Sequence, residues 1–255
     1  MRRRLSDLLA PYGVPFRPHL GFAAWPAAIY AIGDVHGCRD ELEELEAAII
    51  ADAADIEGEK WLVGLGDYID RGPDSAGVLD HLTRPPPPGF RRISLMGNHE
   101  FMLLDFLADP QPDSRWLYNG GLETLASYGL APEWNPQIGH HIPRNHIDFV
   151  TCLHLTLSVP GVVFVHAGLG STAPVEQQDE ADLLWIRTAF HDAPPVPGRL
   201  VVHGHTPDTL PVIAPGRICV DTGAFATGVL TAVRLMPGAE PKLLDTRGRG
   251  HGNIG

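Results

Sequence analysis

With 255 residues, 44% of them apolar and 20% charged, the chain has the composition of a folded domain with a substantial core, not that of a disordered segment. Its formal net charge of -12 disfavours non-specific attachment to nucleic acid or to an anionic membrane. An anionic substrate must then be held by local positive charge, from a few arginines or from bound metal.

Cys38, Cys152 and Cys219 are too few and too scattered for a disulfide framework or a zinc ribbon, which points to a reducing compartment. The basic start Met1–Arg4 runs into Asp7, Pro11 and Pro15 instead of an apolar signal core. No later run approaches the ~18 apolar residues of a membrane span. A soluble, cytoplasmic protein is expected, with no nucleic-acid or membrane partner.

In chain order, residues 1–26 read as a Pro- and Arg-rich N-terminal arm. Residues 27–32 form a buried strand that ends in Gly33-Asp34-Val35-His36-Gly37, and residues 40–53 have helical spacing at Leu42, Leu45, Ile49 and Ile50. A second strand, 61–65, leads to Gly66-Asp67-Tyr68-Ile69-Asp70-Arg71-Gly72, followed by a helix over 74–82 and the break at Pro85–Pro88. A third strand, 92–96, leads to Gly97-Asn98-His99-Glu100, with a helix over 101–107. Residues 108–148, with five prolines and with Trp116, Tyr118 and Trp134, read as a short-helix insertion or cap over the active face. Strands are expected at 155–159, 162–165, 200–203, 212–213, 218–220 and 228–235, with one helix over 179–190. The glycine-rich 246–255 reads as a flexible tail, leaving 27–245 as a single domain.

The three polar segments recur at intervals of about thirty residues, as strand tips of successive strand–helix units do. Asp34 and His36 alternate along extended chain and so reach one side together. A lone Asp-x-His would be no more than a strand-end turn. Asp67, Asn98, His166 in Val165-His166-Ala167-Gly168 and His205 in Gly204-His205-Thr206-Pro207 extend the set. Phosphoester hydrolysis uses two divalent ions about 3.5–4 Å apart, joined by a carboxylate bridge, and this inventory meets that need with Asp67 as the bridge. Mixed carboxylate, amide and imidazole donors suit manganese first, with iron or zinc as alternatives.

These five segments, in this order, resemble the phosphoprotein phosphatase (PPP) branch of the calcineurin-like metallophosphoesterase superfamily, in its bacterial serine/threonine protein phosphatase form. The resemblance spans roughly residues 28–235. It implies an α/β fold, the calcineurin-like metallophosphoesterase fold, with a central β-sandwich flanked by helices. It assigns Asp34 and His36 to one metal and Asn98, His166 and His205 to the other, bridged by Asp67. His205 is the match because it lies between Gly204 and Thr206-Pro207, which leaves His203 as a strand histidine beside the site. Pro207 stands where other branches carry a further histidine, which favours the PPP branch. By the same resemblance His99 is the general acid, held by Asp70, while a metal-bridging water attacks phosphorus. Arg71 and Arg187 bind phosphate, the latter on a shorter motif. Glu100 is expected to cap or brace.

The first functional reading is a serine/threonine, or tyrosine, protein phosphatase acting on a phosphorylated protein or small phosphoester. The alternative is a symmetrical diadenosine tetraphosphate hydrolase. Such enzymes share the metal frame but commonly lack an aspartate at the position of Asp70, so Asp70 favours the first reading. An inactive phosphoprotein-binding scaffold is third, since every matching position is chemically competent. His140, His141 and His146 are expected at the surface or rim, and the insertion's aromatics are expected to pack its small core. Cys38 is reactive only if its pKa is depressed.

Overall fold

Every residue of Ala28–Ile32 is buried, the pattern of a strand covered on both faces. The computed structural model, which describes residues 3–13, 18–130 and 141–247, accounts for it with two face-to-face sheets and an outer layer of helices. In chain order the elements are α1 (Leu5–Leu9), β1 (His19–Gly21), β2 (Ala28–Ile32), α2 (Arg39–Asp52), β3 (Lys60–Gly64), α3 (Ser75–Thr83), β4 (Phe90–Ser94) and α4 (Asn98–Ala108). Then follow α5 (Leu122–Ser127), α6 (Arg144–Thr151), β5 (Thr156–Val159), β6 (Val162–Val165), α7 (Glu180–Trp185) and α8 (Thr188–His191). The chain closes with β7 (Leu200–His203), β8 (Val212–Ala214), β9 (Arg217–Cys219), α9 (Ala224–Thr227), β10 (Thr231–Leu235) and β11 (Lys242–Asp245). One sheet has the order β11-β10-β2-β3-β4 and the other β1-β5-β6-β7-β9-β8.

The period-two alternation divides the core. Ile29 and Ala31 of β2, with Trp61 and Val63 of β3, meet Leu157, Phe164, Val202 and Ile218 between the sheets. Tyr30 and Ile32 point the other way, into the cluster that holds Leu42, Leu45 and Ile49 of α2. This is the sandwich flanked by helices that the resemblance implies.

The pairing fixes where the site can form. β2, β3 and β4 run parallel, and so do β6, β7 and β9. The carboxyl ends of each parallel set share one edge of their sheet, and the Leu95–His154 bridge ties the sheets together beside that edge. The segments with Asp34, Asp67, Asn98, His166 and His205 all leave from such ends.

Several elements differ from expectation. α4 begins at Asn98, so His99 and Glu100 occupy its first turn and do not precede it. The helix expected over 179–190 is two helices, broken where Ile186 is extended and Arg187 has φ -133° and ψ -102°. The N-terminal residues contribute β1, parallel to β5, and α1, whose Leu5, Leu8 and Leu9 are buried. β11 was not anticipated. In the insertion, α5 and α6 lie on α3, where Ser127 Oγ accepts from Ala76 N–H at 3.0 Å. His146 is no rim residue: it is buried between the Tyr128 hydroxyl (2.8 Å) and Asp80 (3.0 Å). Trp134 and His140 lie outside the described residues, as does most of the 246–255 tail. Among the described residues, no helix is long and apolar enough to cross a membrane.

Gly33, at the exit of β2, donates to Thr231 O at 3.0 Å and leaves no room for a side chain, because a Cβ there would strike the Val220 carbonyl of the facing sheet. Gly33→Ala is therefore expected to cost about 1–3 kcal/mol of stability, the usual range for overpacking. A lower urea midpoint at unchanged m-value would register it, and an unchanged midpoint would refute this account of the sheet contact.

Candidate metal centre and active site

Among the described residues, five without glycine's freedom adopt left-handed φ: His36 (45°), Asp67 (54°), Asp70 (74°), Arg71 (68°) and His205 (66°). All five belong to the set read from the sequence. Such conformations cost about 1–3 kcal/mol each and persist only where the surroundings hold them. Glu100 supplies much of that hold. Its buried carboxylate accepts from the backbone N–H of Gly97 (2.9 Å), Asp67 (2.9 Å), Tyr68 (2.7 Å) and Ile69 (3.3 Å). The Asp67 carbonyl in turn accepts from Val35 N–H (3.1 Å) and His36 N–H (2.8 Å), tying the first loop to the second.

The imidazoles are oriented by backbone carbonyls. His36 Nδ1 lies 2.8 Å from Ile69 O and His166 Nδ1 lies 3.0 Å from Leu65 O. A carbonyl accepts only, so each Nδ1 carries the proton and each Nε2 presents a lone pair. His166 Nε2 then faces Asn98 Oδ1 at 3.0 Å, Asp67 Oδ1 at 3.5 Å and His205 Nδ1 at 3.1 Å. His36 Nε2 faces Asp67 Oδ2 at 3.5 Å and receives an Arg71 N–H at 2.7 Å. Burial holds these rings neutral, pulling His36 down to about 3 and His205 to about 2.

Asp67 is also shifted downward, which for a carboxylate keeps it charged. Burial raises its pKa, but His166, His99, His36 and His205 outweigh that and keep it well below the usual carboxylate range. Asp34 accepts from His205 N–H at 3.1 and 3.2 Å. Burial first, then Asp221 and Asp67, push Asp34 well above its ordinary range, and burial is also the main cause that lifts Asp221 to about 6. Electron-pair donors thus converge with little positive charge among them, which is what a cation site offers. Two groups have donor atoms within 4.8 Å of one another: His36, Asp67 and His99, and Asp67, His166 and His205. Asp67 is common to both, as a bridge would be, and imidazole and carboxylate donors of this kind fit divalent ions. Asp34, expected in the first group, instead accepts from His205 N–H, and His99 stands in that group.

His99 stands beside this centre with Nδ1 2.6 Å from Asp70 Oδ2. Burial pulls His99 down, but Asp67 and Asp70 outweigh it and the net shift is upward. Asp70 is fully buried and saturated with donors. Thr124 Oγ1–H reaches Oδ1 at 2.6 Å, and Trp116 Nε1–H lies 3.0 and 3.1 Å from the two oxygens. The insertion therefore builds the support of this pair. Trp116 had been expected only to pack the insertion, and it does pack on Phe106 at 4.8 Å, but its N–H has this second task.

Arg71 lies over the half-exposed ring of Phe225, 5.0 Å from its centroid. Arg187, at the break between α7 and α8, donates to His205 Nε2 and to His205 O, both at 3.2 Å. The two arginines thus contact histidines of opposite metal groups. His203 remains in its strand, with Nδ1 3.0 Å from Gly204 O. Cys38 is buried and its thiol is pushed up to about 12, which removes it as a reactive group. Thr124, Asp221 and Phe225 were not singled out from the sequence. Asp221 alone had a signal, as an Asp at the end of an apolar strand, Ile218–Val220, and before Gly223.

Residues 27–228 match the family of calcineurin-like phosphoesterases. The chain is 35% identical to a symmetrical bis(5'-nucleosyl)-tetraphosphatase of Nitrosococcus oceani over 144 residues, 56% of this chain and 44% of the relative. It is 39% identical to serine/threonine-protein phosphatase 1 of Salmonella typhimurium over 94 residues, 36% of this chain and 38% of the relative. The matched region spans less than half the length of these curated relatives. A solved structure provisionally named a diadenosine tetraphosphatase shares the fold, with TM-score 0.65 over 90% of this chain and 98% of that one, at 23% identity.

Asp67→Asn removes the one carboxylate common to both groups. Bound manganese, read by elemental analysis after reconstitution, is expected to fall from about two per chain to below one. Glu43→Gln, exposed on α2, should leave it unchanged. Full retention in the Asp67 variant would remove the bridge from the centre.

Proposed function

The chain belongs to the calcineurin-like phosphoesterase family, and on that premise we propose that it hydrolyses dinucleoside polyphosphates, cutting diadenosine tetraphosphate symmetrically into two ADP. The observation that carries this reading is the 35% identity to an enzyme of that name over more than half of the chain.

The site chemistry is compatible with it. In this reading Asp34, His36 and Asp67 hold one divalent ion, and Asp67, Asn98, His166 and His205 the other. When bound, the ions supply Lewis-acid polarisation of phosphoryl oxygens. Arg71, which donates to His36 Nε2 at 2.7 Å, would be free to turn its guanidinium to phosphate oxygens when that imidazole serves as a metal ligand. Arg187 offers a second fork from the other side. A tetraphosphate is a long polyanion on an acidic protein, so two flanking arginines serve it well. His99, kept protonated by the carboxylates of Asp67 and Asp70, donates toward the leaving oxygen.

A phosphoprotein phosphatase is the second reading, favoured by the His99–Asp70 contact at 2.6 Å. A serine or threonine alkoxide is a strong base and needs a proton as it leaves. The terminal phosphate of ADP is a weak base and needs one far less. The acid pair is therefore worth more to a monoesterase than to an anhydride hydrolase.

Manganese-loaded protein assayed with diadenosine tetraphosphate and with phosphoserine, phosphothreonine and phosphotyrosine peptides separates the two. The expected outcome is a kcat/KM at least about tenfold higher on the dinucleotide, a margin of ~1.4 kcal/mol in transition-state binding, with ADP as sole product. The reverse order selects the second reading. His99→Asn should slow an alkyl phosphate by about 10²–10⁴ and the dinucleotide by less. Trp116→Phe, which keeps the ring but removes the donor to Asp70, should follow the same order with smaller losses and full metal content. Equal losses on both substrates would remove the general-acid role.

A further inference from the structure

Away from the metal centre, on the outer face of the six-stranded sheet, a cavity of about 310 Å³ lies between α8, the loop after His166 and the β8–β9 turn. Its walls include Phe190, Pro195, Val201 and Pro215, and its charged lining residues are Arg199 and Arg217. Volumes of roughly 300–1,000 Å³ are typical of small-molecule sites, so this one suits a base and a ribose and is too small for a folded partner. Gly216 closes one side, since a Cβ there would meet Pro195 Cβ at 2.6 Å.

The polar groups are underused. Arg217 has no carboxylate partner among the described residues, although Asp and Glu outnumber Lys and Arg in the chain by 31 to 19. Arg199 donates only to a backbone carbonyl, Ala173 O, at 3.3 Å. His191, which also lines the cavity, keeps a buried Nε2 without a hydrogen-bond partner. Two arginines beside aromatic and proline residues make an anion-accepting lining next to an apolar one. A nucleotide has that complement: phosphate for the arginines, base for the apolar lining.

Two chain segments lead from the cavity lining to the centre. Arg187 immediately precedes α8, and His191 ends that helix about 4.5 Å along the axis from Thr188 at ~1.5 Å per residue. Val201 lines the cavity from β7, whose chain continues to His205 within about 13 Å at ~3.3 Å per residue. The lining therefore lies within about 13 Å of His205 along the chain. We propose that this cavity binds the nucleotide half of the substrate that lies farther from the reacting phosphate, with Arg199 and Arg217 on its phosphate and the base against Phe190 and the prolines. This inference rests on the dinucleotide reading.

The test uses manganese-loaded Arg217→Ala and Ala214→Trp, the second filling the cavity from β8. The readouts are KM for diadenosine tetraphosphate, and inhibition of aryl-phosphate turnover by ADP and by inorganic phosphate. Both variants are expected to raise KM for the dinucleotide and Ki for ADP about tenfold, with aryl-phosphate kcat/KM and the Ki of inorganic phosphate unchanged. Intact aryl-phosphate turnover certifies the fold of each variant. Unchanged KM and ADP Ki in both variants overturn the cavity assignment while the dinucleotide reading stands. A parent enzyme that fails to cleave the dinucleotide overturns that reading instead, and the ADP arm still decides whether the cavity takes a nucleotide.

Discussion

The centre depends on one buried carboxylate that touches no substrate. Glu100 gathers the N–H groups of Gly97, Asp67, Tyr68 and Ile69. Those donors lie at the start of α4 and along the loop after β3, so a single side chain locks two strand exits together. Three of the five left-handed residues, Asp67, Asp70 and Arg71, belong to that loop. A loop free to relax would leave those conformations, and with them the direction of the Asp67 carboxylate. Burial and the nearby Asp67 lift Glu100 to about 7, while its backbone hydrogen bonds to Tyr68 and Asp67 pull it back. It remains an acceptor because four donors converge on it.

What Glu100 does for one edge, the pairing of the sheets does for the whole site. Each sheet contributes a parallel trio, and parallel strands bring their carboxyl ends to a common side. Neither trio holds a complete donor set. The five-stranded sheet brings Asp34, His36, Asp67 and Asn98, and the six-stranded sheet brings His166 and His205. Bonds across the seam fix their separation: His205 N–H on Asp34, His166 Nδ1–H on Leu65 O and Gly33 against Val220. The donor geometry is therefore a property of sheet packing as much as of the loops.

How much of this was legible in the sequence follows from how far each interaction reaches along the chain. Asp34 with His36, and Asp67 with Asp70, sit in glycine-flanked segments after apolar runs, and such local pattern carries both strand and site. Residues that act across large separations left no such mark. Trp116 and Thr124 reach Asp70 from 46 and 54 positions away, inside a segment whose prolines and aromatics suggested only a packed cap. Arg187 was read onto a helix because Asp179 to Phe190 has no breaker. The chain breaks there, and Arg187 donates to His205 from the break, a long-range contact that local propensity does not record. β1 and β11 are short edge strands defined by their neighbours, and their sequences carry little alternation of their own.

The same distinction bears on substrate choice. The metal-facing residues serve anhydride and monoester alike, since both reactions need a polarised phosphoryl group and a held leaving oxygen. What differs is the basicity of that oxygen and the body attached to it. The first is where His99 bears, on the proposed reading, beside an Asp70 carboxylate that also accepts from Trp116 and Thr124. The second is met by what surrounds the centre: Arg71 over Phe225 on one side, Arg187 and the outer cavity on the other. Those surroundings carry the cationic side chains Arg71, Arg187, Arg199 and Arg217. On the proposed reading, an acid beside the leaving phosphate and a nucleotide-sized cavity nearby work together. That reading assigns selectivity to the insertion and the α8 cavity, outside the residues proposed to hold metal.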